Sequence, residues 1–217
     1  MRRIFIDLEM NPVSGEYADF RKQCRSEVIE IGAVVMDEQM HITDQFREYV
    51  KPEYNSVVLK KITRLTGIST EAVSEAESFQ PVFLRFLAWC GAEDYEICSW
   101  SDNDIWQLMK ELSAKQVPDA PGISYMLNHW RDIQDDFRVT LHMERLTSLQ
   151  DAIELAGLDF DGKAHDALND ARNTALLFKA SRDSDSFARM KKAYDEAMTP
   201  HVFTFADVFD FRSLQLA

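Results

Sequence analysis

The hydrophobic pattern opens with short strand-like runs and passes to helical stripes. Arg3 to Leu8 is an apolar run ending among the carboxylates Asp7 and Glu9, as in a core strand that stops at a polar site. The next stretch, NPVSGEYADFRKQCRS, has no clean period and carries Pro12 and Gly15, so it reads as a loop. Glu27–Met36 is rich in β-branched residues, and His41–Val50 alternates polar with apolar; the short polar link Asp37–Met40 predicts an antiparallel hairpin. Val57–Leu65 and Ser78–Cys90 follow with helical spacing, the second through Phe79, Val82, Phe83, Phe86, Leu87 and Cys90.

Tyr95–Trp100 predicts a fourth strand, which feeds the turn Ser101-Asp102-Asn103-Asp104 and a helix with Ile105, Leu108, Met109 and Leu112 on its face. Two prolines and a glycine in Val117–Gly122 interrupt that helix. A short helical or irregular piece then precedes an edge strand near Asn128–Ile133. Ser148 is placed to cap a helix that Gly157 ends. The next helix, in HDALNDARNTALLFKAS, has small residues near its start, which predicts close helix packing. A charged helix over Asp185–Ala197 and a Phe-bearing tail, TFADVFDF, complete the chain. Strands followed and interleaved by helices predict an α/β fold: a mixed central sheet with helices on both faces.

Composition narrows the partners. With 217 residues, the chain is long enough to bury about 70% of its unfolded surface in one core. Its 46% hydrophobic content, with seven Gly and six Pro, excludes collagen-like and wholly disordered classes. The formal charge of −13 argues against broad, non-specific duplex binding. Cys24, Cys90 and Cys98 form no CxxC pair or disulfide framework, which fits a reducing cytoplasm. The apolar run at the N-terminus stops at Asp7, too early for a secretory segment, and no stretch is long enough to span a bilayer.

Asp7 and Glu9 stand two apart on the first strand, so their side chains leave one sheet face and can converge on divalent cations. An exposed strand end would carry the same spacing, but the apolar neighbours Ile4, Phe5 and Ile6 make unpaired charge costly there. Asp104 and Asp102 both suit a helix start. His165 and Asp170 straddle the start of the late helix, with Asp166 competing as its first-turn acid.

Three motifs in this order resemble those of the DEDDh-class 3'-5' exonucleases on the RNase H-like fold: FIDLEM with Asp7 and Glu9, SWSDNDIWQL selecting Asp104 over Asp102, and HDALNDARNTA with His165 and Asp170. Within that class, the chain looks most like the bacterial KapD-like and Eri-like branch, associated with RNA or short single-stranded ends. Asn11 and Ser101 depart from residues common there, threonine and glycine.

The resemblance implies hydrolysis of the terminal phosphodiester at a free 3' end of single-stranded RNA or DNA, releasing nucleoside 5'-monophosphates. It implies two Mg²⁺ or Mn²⁺ ions bridged by Asp7, with Glu9 and Asp170 completing one ion and Asp104 serving the other; His165 would be the general base. Met10, Asn11, Leu65, Ile68 and Trp106 become candidate substrate contacts, beside the possible stacking residues Phe20 and Tyr54. A basic group at Arg47, Lys51, Lys60, Lys61 and Arg64 reads first as solvated surface and second as a guide for the nucleic-acid backbone. Residues 1–181 are expected to form the exonuclease domain, and 182–217 a helical extension packed on it or at a homodimer contact. A DNA-directed exonuclease and an inactive binding module are the two alternative readings.

Overall fold

The computed structural model describes residues 1–92, 94–120 and 122–199. Three antiparallel strands, β1 (Arg2–Pro12), β2 (Ser26–Met36) and β3 (Ile42–Tyr49), are joined by two strands parallel to β1: β4 (Tyr95–Ser99) and β5 (Trp130–Asp132). The sheet order is β3-β2-β1-β4-β5, so the strand carrying Asp7 and Glu9 lies in the middle.

Side-chain alternation on β1 divides the core between the two faces. Ile4, Ile6 and Leu8 pack with Phe79, Val82, Phe83 and Phe86 of α4 (Phe79–Cys90) and with Leu108 and Leu112 of α5 (Asn103–Ala114). Phe5 points the other way, toward α7 (Ile133–Leu141), α8 (Leu149–Leu155) and α9 (Ala167–Arg182), and its ring centroid lies 5.4 Å from that of Phe178. Helices cover both faces of a mixed sheet, as the strand and helix pattern predicts. α10 (Ser184–Met198) packs on α7, α8 and α9 and buries Met190. The TFADVFDF segment lies outside the described residues.

Several local expectations need correction. β1 does not stop at Leu8: beyond a register shift between Glu9 and Met10 it pairs again with β2 as far as Pro12. Proline is tolerated at that strand end, where its missing N–H costs no interior ladder bond. The predicted loop after it contains a short helix, α1 (Ala18–Gln23). The helix expected from Val57 begins only at α2 (Lys60–Thr66), because Leu59 is extended and Val58 packs with Ile29, Ile68 and Val73 of α3 (Thr70–Ser74) and its surroundings.

On α5 the buried face is rotated from the apolar stripe. It buries Asp104, Gln107 and Glu111 beside Leu108 and Leu112, leaving Met109 41% exposed. The cause lies on β2. At the register shift the Val28 N–H donates to Glu111 Oε2 at 2.9 Å, and Gln107 donates to the Ser26 carbonyl at 2.8 Å. Lys115 closes this polar patch, its Nζ standing 3.0 Å from Glu27, 2.9 Å from Glu53 and 2.9 Å from Glu111.

The small residues at the start of α9 serve close packing, but against a strand. A Cβ built on Gly32 of β2 would stand 2.2 Å from the Ala167 carbonyl carbon. At the α8 start, Ser148 caps as its sequence predicts, accepting from the Asp151 N–H at 3.1 Å. α6 (Ile123–Asn128) supplies the short helical piece before β5.

Candidate active site

β1 outruns its parallel neighbour. Its pairing with β4 ends at Phe5–Cys98, whereas pairing with β2 continues to Pro12, so Asp7 and Glu9 lie where one side of the central strand is open. Asp104 fills that opening from the first turn of α5. It is only 5% exposed and accepts a hydrogen bond from the Leu8 backbone N–H, a group that a longer β4 would have engaged. Asp102 is the helix-cap residue, with its carboxylate taken by the Trp106 indole N–H at 3.0 Å. Ser101 shapes the turn, its Oγ accepting from the Asn103 N–H at 3.2 Å.

α9 brings the remaining groups. Asp166 caps it through the Asn169 N–H, which places Asp170 in the first turn. His165 is exposed and in the left-handed backbone region, φ 60°, a conformation that costs a non-glycine residue about 1–3 kcal/mol. Its backbone N–H donates to Asp170 Oδ2 at 3.1 Å. One candidate ligand atom from each of Glu9, His165 and Asp170 lies within 4.8 Å of the others.

These acids are unfavourable as anions in the bare protein. Burial, followed by the fields of Asp104, Asp170 and Glu9, drives the Asp7 carboxyl well above its ordinary range. Burial and then Asp170 and Glu30 push Glu9 up to about 8. Asp104 rises to about 7 and Asp170 to about 6, in each case chiefly through burial. Glu30 faces Glu9 across the β1–β2 ladder, where like charges destabilise.

A divalent cation fits this arrangement. Asp170 Oδ1 is buried without a hydrogen-bond partner, and carboxylate oxygens beside an imidazole suit Mg²⁺ or Mn²⁺ better than a thiol-seeking metal. The three cysteines are buried and free, and the environment of Cys98 raises its thiol pKa through burial first.

The expected substrate contacts divide. Trp106 is 49% exposed and Leu65 46% exposed, so both offer surface to a ligand. Met10 is partly buried against the core. Asn11 and Ile68 are buried: Asn11 is fully so, donating to the Val57 carbonyl at 3.1 Å and accepting from Leu59 N–H at 3.0 Å, so it anchors the 55–59 segment. Ile68 is buried with Ile29, Val58 and Val73. Phe20 and Tyr54 stack on each other with ring centroids 3.7 Å apart.

Arg47 stands apart within the expected basic surface group. Although itself exposed, it pairs with Glu30 and Asp166; Lys51, Lys60, Lys61 and Arg64 are exposed as well. Sequence reading missed Glu30 and Asp132, whose field raises Asp104. Glu30 carried a signal as an acid inside a β-branched run, but its place opposite Glu9 did not, since the predicted hairpin pairs its strand with the one after it.

The sequence model of the exonuclease family (RNase_T) matches residues 4–178, which contain all five of these candidate residues. The chain belongs to the exonuclease family. It is a DEDDh-type member on the RNase H-like fold, related to the 3'-5' exoribonuclease branch.

It is 28% identical over 178 residues to 3'-5' exoribonuclease 1 of Rattus norvegicus, covering 79% of this chain and 50% of that protein. It is 27% identical over 216 residues to the 3'-5' exonuclease Snipper of Drosophila melanogaster, covering 85% of this chain and 75% of the fly protein. The chain spans about half the length of the first of these relatives. Among solved structures, the nuclease domain of 3'hExo, a DEDDh family member bound to rAMP, superposes with a TM-score of 0.71 at 24% identity, covering 83% of this chain and 90% of that domain. That likeness supports the fold.

Proposed function

We propose that this chain is a metal-dependent 3'-5' exonuclease acting on single-stranded RNA ends or unpaired 3' tails, with residues 1–181 as its catalytic domain and 182–217 as an extension. The observation carrying this reading is the convergence of Glu9, His165 and Asp170 beside the buried, mutually repelling Asp7 and Asp104. Asp7, Glu9, Asp104 and Asp170 would hold two Mg²⁺ or Mn²⁺ ions. Bound, such ions polarise phosphoryl oxygens and acidify water.

The chain's own residues account for the rest. Asp170, held through the His165 N–H, keeps one oxygen free for a cation. The His165 imidazole is exposed beside that group, placed to accept a proton from an attacking water, a role imidazole performs near neutral pH. Trp106 and Leu65 present exposed apolar surface to the bases of an entering strand, and Met10 lies beside Glu9 along β1.

Among the described residues, no helix is long and apolar enough to cross a membrane. The three free thiols support a cytoplasmic protein. Pairing as a homodimer belongs to the same reading, and light scattering at micromolar concentration tests it.

A time course on sequence-matched linear RNA, linear DNA and circular strands, with Mg²⁺ or Mn²⁺, tests the activity. Stepwise loss of 5'-monophosphates from linear RNA is expected, with circles intact. Efficient DNA loss with RNA intact would move the reading to a DNA exonuclease. Binding without hydrolysis would make the chain a binding module.

A further inference from the structure

We propose that Arg47 is a positioning residue for the α9 end of the site, clamping the first turn of that helix so that His165 and Asp170 meet Glu9. Its guanidinium forks between two acids far apart in sequence. Nε donates to Glu30 Oε1 at 2.7 Å, and Nη2 donates to Asp166 Oδ2 at 2.7 Å. Glu30 is fully buried, and its second oxygen accepts the Ala167 N–H at 3.3 Å. Asp166 uses its other oxygen to cap α9 through the Asn169 N–H at 3.1 Å. Each oxygen of both acids is thereby engaged in fixing residues 166–169.

The clamp lies next to the chemistry on both sides. Glu30 is the ladder partner of Glu9, and Asp166 directly follows His165, whose left-handed backbone needs restraint from its neighbours. Without Arg47, a buried Glu30 would face Glu9 with no countercharge, and Asp166 would lose the tether that orients the cap. The rest of α9 has its own attachments. Arg172 donates to Gln45 Oε1 at 2.8 Å, and Phe178 packs on Phe5. Loss of Arg47 therefore loosens the first turn while the helix stays docked.

Lysine cannot replace this group: it carries the charge but lacks the rigid, planar fork whose separate donors Nε and Nη2 hold Glu30 and Asp166 at fixed places. That separates a clamp from a simple positive charge that attracts nucleic acid. The proposal rests on the metal-dependent reading above, but part of its test does not use hydrolysis.

The full chain is compared with Arg47→Lys, Arg47→Met and the control Arg85→Met, which removes an exposed pair to Glu48 and Glu77 away from α9. Mn²⁺ affinity, amide exchange of residues 165–170, and kcat and KM on a single-stranded RNA are measured. Both Arg47 variants should weaken Mn²⁺ binding and lower kcat by about 10–100-fold, the scale for groups that orient metal ligands, with KM within about threefold. Exchange at 165–170 should quicken in both, and Arg85→Met should match the parent.

Parent-like values in Arg47→Lys would overturn the clamp, as would a raised KM with unchanged Mn²⁺ affinity and exchange. A parent that binds Mn²⁺ but cuts nothing would sink the nuclease reading, leaving the Mn²⁺ and exchange comparisons to decide the role of Arg47.

Discussion

Gly32 and Ala167 are in backbone contact: a methyl group on Gly32 would stand 2.2 Å from the carbonyl carbon of Ala167 and 2.2 Å from the amide nitrogen of Leu168. Gly32 also pairs with Asp7 in the β1–β2 ladder, so this packing contact sits directly behind a candidate metal ligand. Gly32→Ala should cost at least about 1–3 kcal/mol, the range for overpacking, because the obstacle is backbone and cannot rotate away. Urea unfolding measures the loss. Activity of the remaining folded fraction should also fall, since α9 must lift with Asp170.

Asp7→Asn and His165→Ala should separate two roles. The first should lower turnover by about a hundredfold or more and weaken Mn²⁺ binding. It should also raise the melting temperature in EDTA, because it removes a buried acid repelled by Asp104, Asp170 and Glu9. His165→Ala should keep more of the metal affinity while lowering the rate by about 10²–10⁴-fold, the usual worth of a general base. Calorimetric Mn²⁺ titration beside a rate assay checks both, and ordinary activity in pure Asp7→Asn would refute the bridging role.

The acid cluster sets a pH dependence. Glu9, Asp104 and Asp170 titrate at about 8, 7 and 6 in the folded chain, above their ordinary range near 4. Their folded forms favour the proton, so the stability they contribute is present at low pH and disappears as pH rises through those values. In EDTA, the melting temperature should fall between about pH 5 and pH 8. Mn²⁺ should oppose the fall increasingly toward pH 8, because it binds the deprotonated set. A metal-free melting temperature that climbs over this interval would contradict the cluster's electrostatics.

Lys115 should be a large single determinant of stability. Removing its ammonium leaves Glu27 and Glu111, both fully buried, without their shared cation. Lys115→Met should cost about 3–5 kcal/mol by chemical unfolding, the range for breaking a buried ion pair. Adding Glu111→Gln should recover part of that loss, since burial already pushes the Glu111 carboxyl up to about 7.

The strands and long helices were legible because their signals are local. β1 and β2 announce themselves by β-branched runs, and α4 by six apolar positions that are all buried. The acids of the site stood out through the order of their motifs, with resemblance choosing Asp104 over Asp102.

What remained hidden depends on distant partners. Arg47 and Asp166 are 119 residues apart, and no periodicity relates them. The rotation of α5 was equally invisible, because it follows from the free Val28 N–H at a register shift. A stripe of Leu and Met predicts the buried face of a helix only where the surface beneath it is apolar.

The early end of β4 shifts responsibility onto β2. Beyond Phe5 the central strand has a ladder partner on one side only, and along that side lie Gly32, Glu30 and Glu27 in turn, opposite Asp7, Glu9 and Asn11. β2 thus acts as the keel of the molecule. Its interior residues are buried, yet small changes in them would tilt the candidate acids, so inactivating substitutions should gather on a strand that supplies none of the proposed ligands.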